Sequence, residues 1–512
     1  MTPTRRIAAV VAGLAAAALL LTGCLFSVRP GDTSARPSPT PDVSGVDPAL
    51  LPFYGQTLDW SSCADGFQCT TVTAPLDWAN PTKGQIELAV IRHPASDGSP
   101  LGALLTNPGG PGASGVDILR DSLSYVVDAK LEDSYDVVGF DPRGVGQSTA
   151  VRCFDASDMD AYLYDIPQNP RGSAAWTDET NANNAAFAKA CDQNSGGILP
   201  YITTQNAARD MDLIRAVLGD SSLNYLGYSY GTFLGATYAG LYPDRVGRMV
   251  LDGALDPSMS VTDVSTQQGI GFESALRAYM AACLQGKNCP FHGSVDDGMA
   301  ALGTLLASVD SAPLKNSDGR MLGADRLVTA IVTALYSQSN WPALTVALTD
   351  TLQGDPAYAL SLSDRYYGRD ANGTYTDNST EAFSAYNCMD YPRATAADEA
   401  ASAAQLKQDA PVIAPYWIGP DPCDVWPYPP AGTRESISAP GAAPIVVIGT
   451  TNDPATPYAW AVSLADQLSS GVLITRVGEG HTGYNKGNAC VDAAVDAYFV
   501  QDTVPQNGLR CT

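Results

Sequence analysis

The feature that most constrains the fold is a serine between two glycines, where an apolar segment meets a segment of helical spacing. The apolar segment at 223–226 predicts a buried strand, and Gly-Tyr-Ser-Tyr-Gly at 227–231 follows it directly. Small residues recur through 232–241, which predicts a helix. On so sharp a turn Ser229 would be a strained, exposed nucleophile, and the flanking glycines avoid collisions with the strand and helix. The pentad alone is a weak pattern in a chain with 47 Gly, but its strand–turn–helix context predicts a nucleophile elbow.

The segments around this elbow alternate between strand and helix patterns. A hairpin opens the series, and single strands that end in Gly-rich turns follow it, which is typical of a mostly parallel α/β sheet with an antiparallel edge. Asn206 is the expected N-cap of the helix before the elbow strand. The predicted strands are 67–78, 85–94, 102–106, 135–140, 223–226, 246–251, 444–449 and 471–477, and the helices between them include 115–122, 206–218, 457–468 and 489–500.

Two stretches depart from this alternation. Residues 149–205 are polar and weak in strand signals, so we interpret them as an insertion closed by Cys153 and Cys191. Residues 256–440 contain helical patterns, at 271–284, 296–309, 324–336 and 341–352, which suits a helical cap. The predicted organisation is therefore a core at 51–255 and 441–512 interrupted by a cap at 256–440.

The first residues carry the pattern of a bacterial export signal. Arg5 and Arg6 precede an apolar run at 7–20, and Leu-Thr-Gly-Cys follows at 21–24. This predicts a signal peptide at 1–23 and acylation of Cys24, which would place the protein on the outer face of the cell membrane or release it outside the cell. A transmembrane anchor is the alternative, but the apolar run is short of the roughly 20 residues that a span needs. Residues 24–50 are rich in Pro, Ser and Thr and predict a disordered tether.

The charge of the chain excludes one class of partner. It carries 29 Lys+Arg against 54 Asp+Glu, a formal net charge of −25 over 512 residues. Such a surface repels phosphate backbones, so nucleic-acid binding is not expected. Solubility outside the cell is the simplest reason for the acidity, and the sequence says nothing about oligomeric state.

The cysteines predict disulfides. Ten remain after Cys24, and their spacing in neighbouring couples makes sequential pairing the simplest scheme in an oxidising compartment. A metal site is not expected, because there is no Cys-x-x-Cys and the chain has 3 His, and no cofactor is predicted. The couples are Cys63 with Cys69, Cys153 with Cys191, Cys283 with Cys289, Cys388 with Cys423, and Cys490 with Cys511.

A serine nucleophile needs a general base and an acid that orients it. Of the three histidines, His481 alone follows a buried strand on a Gly-rich loop, whereas His93 is on an edge strand and His292 is in the cap. The acid is expected between the serine and the histidine in the chain. Asp453 ends the strand before His481 and is preferred; Asp252 is the competitor, and we expect it to stabilise the turn into the cap.

Two backbone N–H groups usually receive the developing oxyanion. Tyr230, directly after the serine, is expected to supply one of them. The second is expected from Gly110 in the Gly-Gly-Pro-Gly turn at 109–112, because glycine allows close approach and Pro111 has no N–H. An ordinary turn is the alternative for this motif.

These motifs together resemble one family. Residues 107–112 (NPGGPG) resemble the HGGPG oxyanion turn of proline iminopeptidases, with Asn-Pro at the His-Gly positions. The segments DPRGVGQS at 141–148, GYSYGTFLGATYAGLYPDRVGRMVLDGALDP from 227, NCMD at 387–390 and TNDPATP from 451 are similar to the secreted tripeptidyl aminopeptidases of Gram-positive bacteria and their mycobacterial lipoprotein relatives. The resemblance spans about residues 55 to 512.

The resemblance implies an α/β-hydrolase fold with a large, mainly helical cap and a serine exopeptidase that removes short peptides, expected to be tripeptides, from free N-termini. Such an enzyme must bind the substrate's ammonium group with a carboxylate, for which Asp390 and Glu273 are candidates. The alternative is a carboxylesterase or lipase that uses the same triad. A non-enzymatic surface lipoprotein is disfavoured because every triad position is filled.

Overall fold

The computed structural model describes residues 38–96, 98–432 and 434–512. The expected signal peptide at 1–23, Cys24 and the tether up to residue 37 lie outside the described residues. The rest of the expected tether, at 38–50, is not disordered but is held against the body, because the Asp42 N–H donates to the Ala216 carbonyl at 2.8 Å and the Asp42 carboxylate pairs with Arg215 at 3.1 Å. Within the described part of the chain, no helix is long and apolar enough to cross a membrane.

A ten-stranded sheet forms the centre of the fold. Its strands are rich in Val, Ile and Leu, and most are buried on both faces, as expected of a parallel sheet covered by helices. The strands in chain order are β1 (Ser61–Ala64), β2 (Phe67–Pro75), β3 (Gln85–His93), β4 (Ala103–Asn107), β5 (Asp136–Phe140), β6 (Leu223–Tyr228), β7 (Val246–Asp252), β8 (Leu314–Lys315), β9 (Met321–Leu322), β10 (Ile445–Asn452), β11 (Gly471–Glu479) and β12 (Leu509–Cys511); β8 and β9 pair separately.

The strand order is β1-β2-β3-β5-β4-β6-β7-β10-β11-β12. β1, β2, β3 and β5 pair antiparallel in succession, and from β5 to β12 every pair is parallel. The sheet is therefore mostly parallel with an antiparallel edge, as predicted. The carboxyl ends of β4, β6, β7, β10 and β11 meet at one edge, where α/β folds build their sites.

Helices cover both faces of the sheet. α2, α3 and α17 pack on one face, while α6, α7 and α16 pack on the other. The helices are α1 (Leu51–Tyr54), α2 (Gly115–Val126), α3 (Ala129–Ser134), α4 (Ala156–Tyr164), α5 (Ala174–Asn194), α6 (Thr204–Val217), α7 (Tyr230–Leu241), α8 (Val261–Gln285), α9 (Val295–Ser311), α10 (Ala324–Leu335), α11 (Trp341–Leu352), α12 (Ala357–Tyr366), α13 (Ser379–Asp390), α14 (Ala396–Asp409), α15 (Ala414–Trp417), α16 (Tyr458–Gln467) and α17 (Ala489–Gln501).

The chain between β7 and β10 is mainly helical and contains α8 to α15. A strand–helix alternation would have continued the sheet there, but the two strands in this stretch, β8 and β9, pair only with each other. These helices follow the carboxyl end of β7, so they are positioned to cover the edge of the sheet where the strand ends meet. The cap limits at 256 and 440 stay a prediction.

Some local predictions differ from the structure. Asn206 does not cap α6; the Thr203 hydroxyl does so by accepting a hydrogen bond from the Asn206 N–H, and the helix begins earlier than expected. β1 and β12 were not expected, and β12 extends the sheet beyond α17 by pairing with β11. Both are short edge strands, whose pairing depends on tertiary contacts more than on their own sequence.

The loop after β5 ties several elements together. Asp141 is buried and accepts hydrogen bonds from the Ser114 hydroxyl and the Val116 N–H at the start of α2. The Arg143 guanidinium is also fully buried and pairs with Asp210 of α6 through two bonds of 2.7 Å. The Asp-Pro-Arg-Gly motif therefore anchors two helices to the end of a strand.

The ten cysteines of the described residues form five disulfides in the sequential pairing. Each joins segments that are close in the chain, with Cα–Cα distances from 3.9 to 5.7 Å. The 153–191 bridge ties α5 to the chain that follows β5, and the 388–423 bridge ties α13 to the end of the helical stretch. The 490–511 bridge ties α17 to β12.

Candidate active site

Ser229 occupies a strained turn between β6 and α7. Its φ of 55° and ψ of −124° are rare for a residue with a side chain. A Cβ on Gly227 would lie 2.5 Å from the Gly231 carbonyl oxygen, and one on Gly231 would lie 2.8 Å from the Asn107 carbonyl oxygen. The two glycines are thus sterically required, and the backbone has the geometry of a nucleophile elbow.

Asp453 and His481 form a close pair. The His481 Nδ1 lies 2.9 Å from both carboxylate oxygens of Asp453, whose side chain is fully buried. The same carboxylate accepts N–H bonds from Ala455, Thr456 and Thr482, so its position is fixed from two loops. An acid held in this way fixes the imidazole orientation and leaves Nε2 as the nitrogen free to take a proton.

The Nε2 atom of His481 is buried, with no hydrogen-bond partner in the described part of the chain. No direct hydrogen bond joins it to Ser229 within the same residues. Such catalytic hydrogen bonds commonly tighten only in the substrate complex. Tyr336, which directly follows α10, contacts His481 from the helical stretch. Its carbonyl accepts the His481 backbone N–H at 2.8 Å, and the two rings lie 5.4 Å apart, edge to face.

Asp252 has a different role from the one expected. It does not stabilise the turn into the cap; its carboxylate accepts N–H bonds from Gly483 and Tyr484, at 2.8 to 3.0 Å, and so holds the loop that carries His481. Complete burial raises the pKa of Asp252 to about 6, against the lowering effect of these bonds. Gly253 follows with φ 68°, and a Cβ there would lie 3.0 Å from the imidazole. Sequence reasoning missed Gly253, although a glycine directly after a strand-end aspartate was a usable signal.

The Gly-Gly-Pro-Gly turn lies directly against the elbow. A Cβ on Gly109 would be 2.6 Å from the Tyr228 carbonyl oxygen and 2.9 Å from Ser229 Cβ. Asn107 supports the turn by accepting the Gly109 N–H at 3.0 Å. The close approach thus depends on Gly109, while Gly110 lines the same cavities as Ser229. The Tyr230 N–H begins α7 and has no partner within the helix, as expected of an oxyanion donor.

Two spaces open at Ser229. The larger is a cleft of about 2170 Å³ whose walls come from the turn at Gly110, from α4 and α5, and from the helical stretch, including Phe272 and Trp417. The smaller is a pocket of about 60 Å³ that Ser229 and Tyr230 share with Asp390 and Arg434. The site thus has a wide approach and one narrow recess.

The two carboxylates proposed to bind an amine lie in different places. Asp390 is buried on the wall of the small pocket beside Ser229. Glu273 is buried elsewhere: its Oε2 accepts the Ile413 N–H at 3.1 Å, and it lines neither the cleft nor the small pocket. The structure therefore brings Asp390, and not Glu273, to the nucleophile.

The other two histidines lie away from the sheet edge that carries Ser229 and His481. His93 pairs in register with Val137 at the start of β5, and therefore lies at the opposite end of the strands from Ser229. His292 is exposed between α8 and α9. Among the described residues, no group of His, Cys, Asp or Glu could hold a metal ion.

Comparisons with known proteins show which family the chain is similar to. The family described as "TAP-like protein" matches residues 410–511, which include Asp453 and His481. Serine protease Hip1 of Mycobacterium tuberculosis is 34% identical over 525 residues, covering 98% of this chain and 96% of that protein.

Two further relatives are similar over most of their length. Carboxylesterase B of Mycobacterium tuberculosis is 38% identical over 512 residues, which cover 96% of this chain and 97% of the relative. Tripeptidyl aminopeptidase of Streptomyces lividans is 30% identical over 475 residues, which cover 89% of this chain and 86% of the relative.

Proposed function

The chain belongs to the TAP-like family of α/β-hydrolase serine peptidases, and from this membership we propose that it releases short peptides, tripeptides in particular, from free N-termini. The observation that carries the aminopeptidase proposal is a buried carboxylate, Asp390, on the wall of the pocket that opens at Ser229. A peptidase that recognises the free amino group of its substrate needs a carboxylate in a partly desolvated pocket.

In the proposed reaction the Ser229 hydroxyl attacks the carbonyl carbon of the scissile bond while His481 Nε2 takes its proton. The N–H groups of Gly110 and Tyr230 stabilise the resulting oxyanion. His481 then gives the proton to the leaving amine, and the released part of the peptide stays on Ser229 as an ester. A water molecule, deprotonated by the same nitrogen, hydrolyses that ester and restores the serine.

Asp390 has no basic residue within ion-pair distance among the described residues. Its carboxylate instead accepts bonds from Thr204, through the N–H at 2.9 Å and the hydroxyl at 2.6 Å. Burial raises the pKa of Asp390 to about 6, against the lowering effect of the Thr204 bonds and of the nearby Arg434 charge. The carboxylate therefore has no ion-pair partner among the described residues, and a substrate ammonium group would supply one.

Asp390 is also linked by hydrogen bonds to the residue that follows the nucleophile. The Thr204 hydroxyl bonds to the Tyr230 hydroxyl at 2.5 Å and donates to the Asp390 carboxylate at 2.6 Å. The tripeptide length of the released product is proposed from the similarity to the tripeptidyl aminopeptidase of Streptomyces lividans.

Replacing Asp390 by Asn is expected to raise KM for free-amine peptides about tenfold or more, because the charged partner of the ammonium group is lost. In the wild type, KM for the same peptides should rise as the pH falls through about 6, since protonation removes the Asp390 charge. The variant should lose that pH dependence. Steady-state kinetics on one-, two- and three-residue aryl amides between pH 5 and 8 measure both effects.

N-acetylated versions of the same amides are the control. They lack the ammonium group, so the wild type should cleave them poorly and Asp390→Asn should not differ from it. Equal cleavage of free and acetylated peptides by the wild type would refute the aminopeptidase proposal. If Glu273→Gln, and not Asp390→Asn, raised KM for free-amine peptides, Glu273 would be the residue that binds the amine.

A carboxylesterase is the second candidate, and the similarity to Carboxylesterase B favours it. The same triad would hydrolyse acyl esters without recognising an amino group on the substrate. Aryl esters offered beside the peptide amides distinguish the two activities. The esterase would show higher kcat/KM on neutral acyl esters than on any free-amine peptide.

We also propose that the protein is exported and held on the outer face of the membrane by a lipid on Cys24. The five disulfides support an oxidising compartment. Replacing Cys24 by Ser is expected to move the protein from the membrane fraction to the medium without changing its specific activity. Fractionation with immunoblotting measures this, and a variant that stays in the membrane fraction would contradict lipid anchoring.

A further inference from the structure

Three arginines surround one tyrosine at a part of the cleft away from the triad. The guanidinium carbons of Arg320, Arg326 and Arg369 lie 4.6, 5.9 and 5.8 Å from the centre of the Tyr164 ring. Tyr164, Arg320 and Arg326 line the same cleft as Ser229. Three guanidinium groups around one ring are unexpected in a chain with a net charge of −25.

Carboxylates already neutralise two of these arginines. Arg320 binds Asp364 through two bonds of 2.6 and 3.0 Å and also pairs with Asp318. Arg369 binds Asp160 through two bonds of 2.7 Å. Neither of them needs a further anion.

Arg326 is different. No carboxylate of the described residues lies within ion-pair distance of it, and its chain neighbour Asp325 pairs with Arg171 at 2.9 Å. Its Nε and Nη1 are buried without a hydrogen-bond partner, and the Tyr367 ring centre lies 5.0 Å from the guanidinium carbon. Unpaired buried donors are unfavourable, so a carboxylate arriving here would satisfy both charge and hydrogen bonding.

Helix α10 gives a scale for the distance between Arg326 and the triad. Arg326 is near the start of α10, and Tyr336, which contacts His481, directly follows its end. The Cα atoms of these two residues are about 15 Å apart at ~1.5 Å of rise per residue. An extended peptide covers this distance in about four or five residues, at roughly 3.3 Å each.

We propose that Arg326 binds a carboxylate of the substrate four or five residues beyond the scissile bond. This rests on the proposed peptidase function, in which the released part is only about three residues long, so a contact this distant falls on the C-terminal side of the cut. The carboxylate comes from an Asp or Glu side chain or from the C-terminus of a short substrate. Arg326 thus makes the enzyme selective for peptides that are acidic at that position.

The test uses the full-length protein and quenched fluorescent peptides with one constant, neutral cleavage sequence. Asp or Asn is placed at successive positions two to seven residues after the cut, with the C-terminus amidated. The wild type is expected to show about tenfold higher kcat/KM for Asp than for Asn at the fourth or fifth position, as a charge-assisted pair predicts. Arg326→Gln should remove this preference, and Arg326→Lys should keep part of it.

A second set of peptides, neutral and ending at the fourth or fifth position, carries either a free C-terminal carboxylate or an amide. A preference for the free acid that Arg326→Gln removes also supports the site and assigns it to the peptide end. Arg365→Gln is the matched control, because Arg365 is an exposed cation in the same cleft. An equal loss in both variants would show a general field effect and overturn the Arg326 site.

A short, neutral tripeptidyl amide separates the two proposals. Wild type and Arg326→Gln are expected to cleave it at the same rate, which also shows that the variant folds. Cleavage of this amide without any acidic preference in the longer peptides overturns the Arg326 site alone. Failure of the wild type to cleave it refutes the peptidase proposal on which the site rests.

Discussion

Replacing Ser229 by Ala is expected to lower kcat about 10⁴- to 10⁶-fold with little change in KM, as losses of a serine nucleophile do. The residue has no other role that the structure reveals. Its backbone strain is set by the glycines on either side, and its N–H, which Ala retains, donates to the Asp252 carbonyl at 2.9 Å. Hydrolysis of peptide amides and labelling by a fluorophosphonate probe both measure the loss.

Ser384→Ala is the matched control for this substitution. Ser384 lines the same cleft, and its hydroxyl donates to the Thr380 carbonyl at 3.0 Å. The variant should keep wild-type turnover and labelling. If Ser229→Ala were labelled as strongly as the wild type, the nucleophile would be another residue, and the remaining assignments of the site would lose their basis.

The sequence carried enough information to predict the parallel strands and the residues that meet at their carboxyl ends. Apolar runs followed by glycine or aspartate mark β6, β7, β10 and β11, and a Gly-rich turn follows the apolar run of β4. Strand ends of a parallel sheet share one edge. For this reason the positions of Ser229, Asp453 and His481 in the chain were sufficient to propose that they are neighbours. Their placement at one edge of the sheet depends on topology more than on side-chain detail.

The contacts that support these residues could not be predicted in the same way. Asp252 and Asp453 both follow buried strands, and nothing local to either indicates that one holds the imidazole and the other holds the loop behind it. The difference arises from where the loop at 481–484 packs. Asp390 and Glu273 were likewise equal candidates in sequence, and only the packing of α13 and α8 places one beside Ser229 and the other against Ile413.

The second large effect is expected on stability, from breaking the buried ion pair between Arg143 of the Asp-Pro-Arg-Gly motif and Asp210. Asp210→Asn is expected to lower the free energy of unfolding by about 3–5 kcal/mol, because it leaves the Arg143 guanidinium buried without a counter-charge. Both side chains are fully buried, and burial raises the pKa of Asp210. Arg143 also donates to the carbonyls of Pro75 and Leu76, so the substitution would loosen α6 against the end of β2. Denaturant unfolding followed by tryptophan fluorescence measures the change.

Asp502→Asn is the control, because it also removes one carboxylate from an arginine, but at the surface. The Arg248–Asp502 pair is 3.3 Å long, and the Asp502 side chain is 73% exposed. Exposed pairs contribute about 0–1 kcal/mol, and Asn tolerates the left-handed backbone found at this position. If Asp210→Asn lowered the free energy of unfolding no more than Asp502→Asn does, water or a rearranged partner would have to reach the Arg143 guanidinium. The stability that the motif provides would then come from contacts other than its buried ion pair.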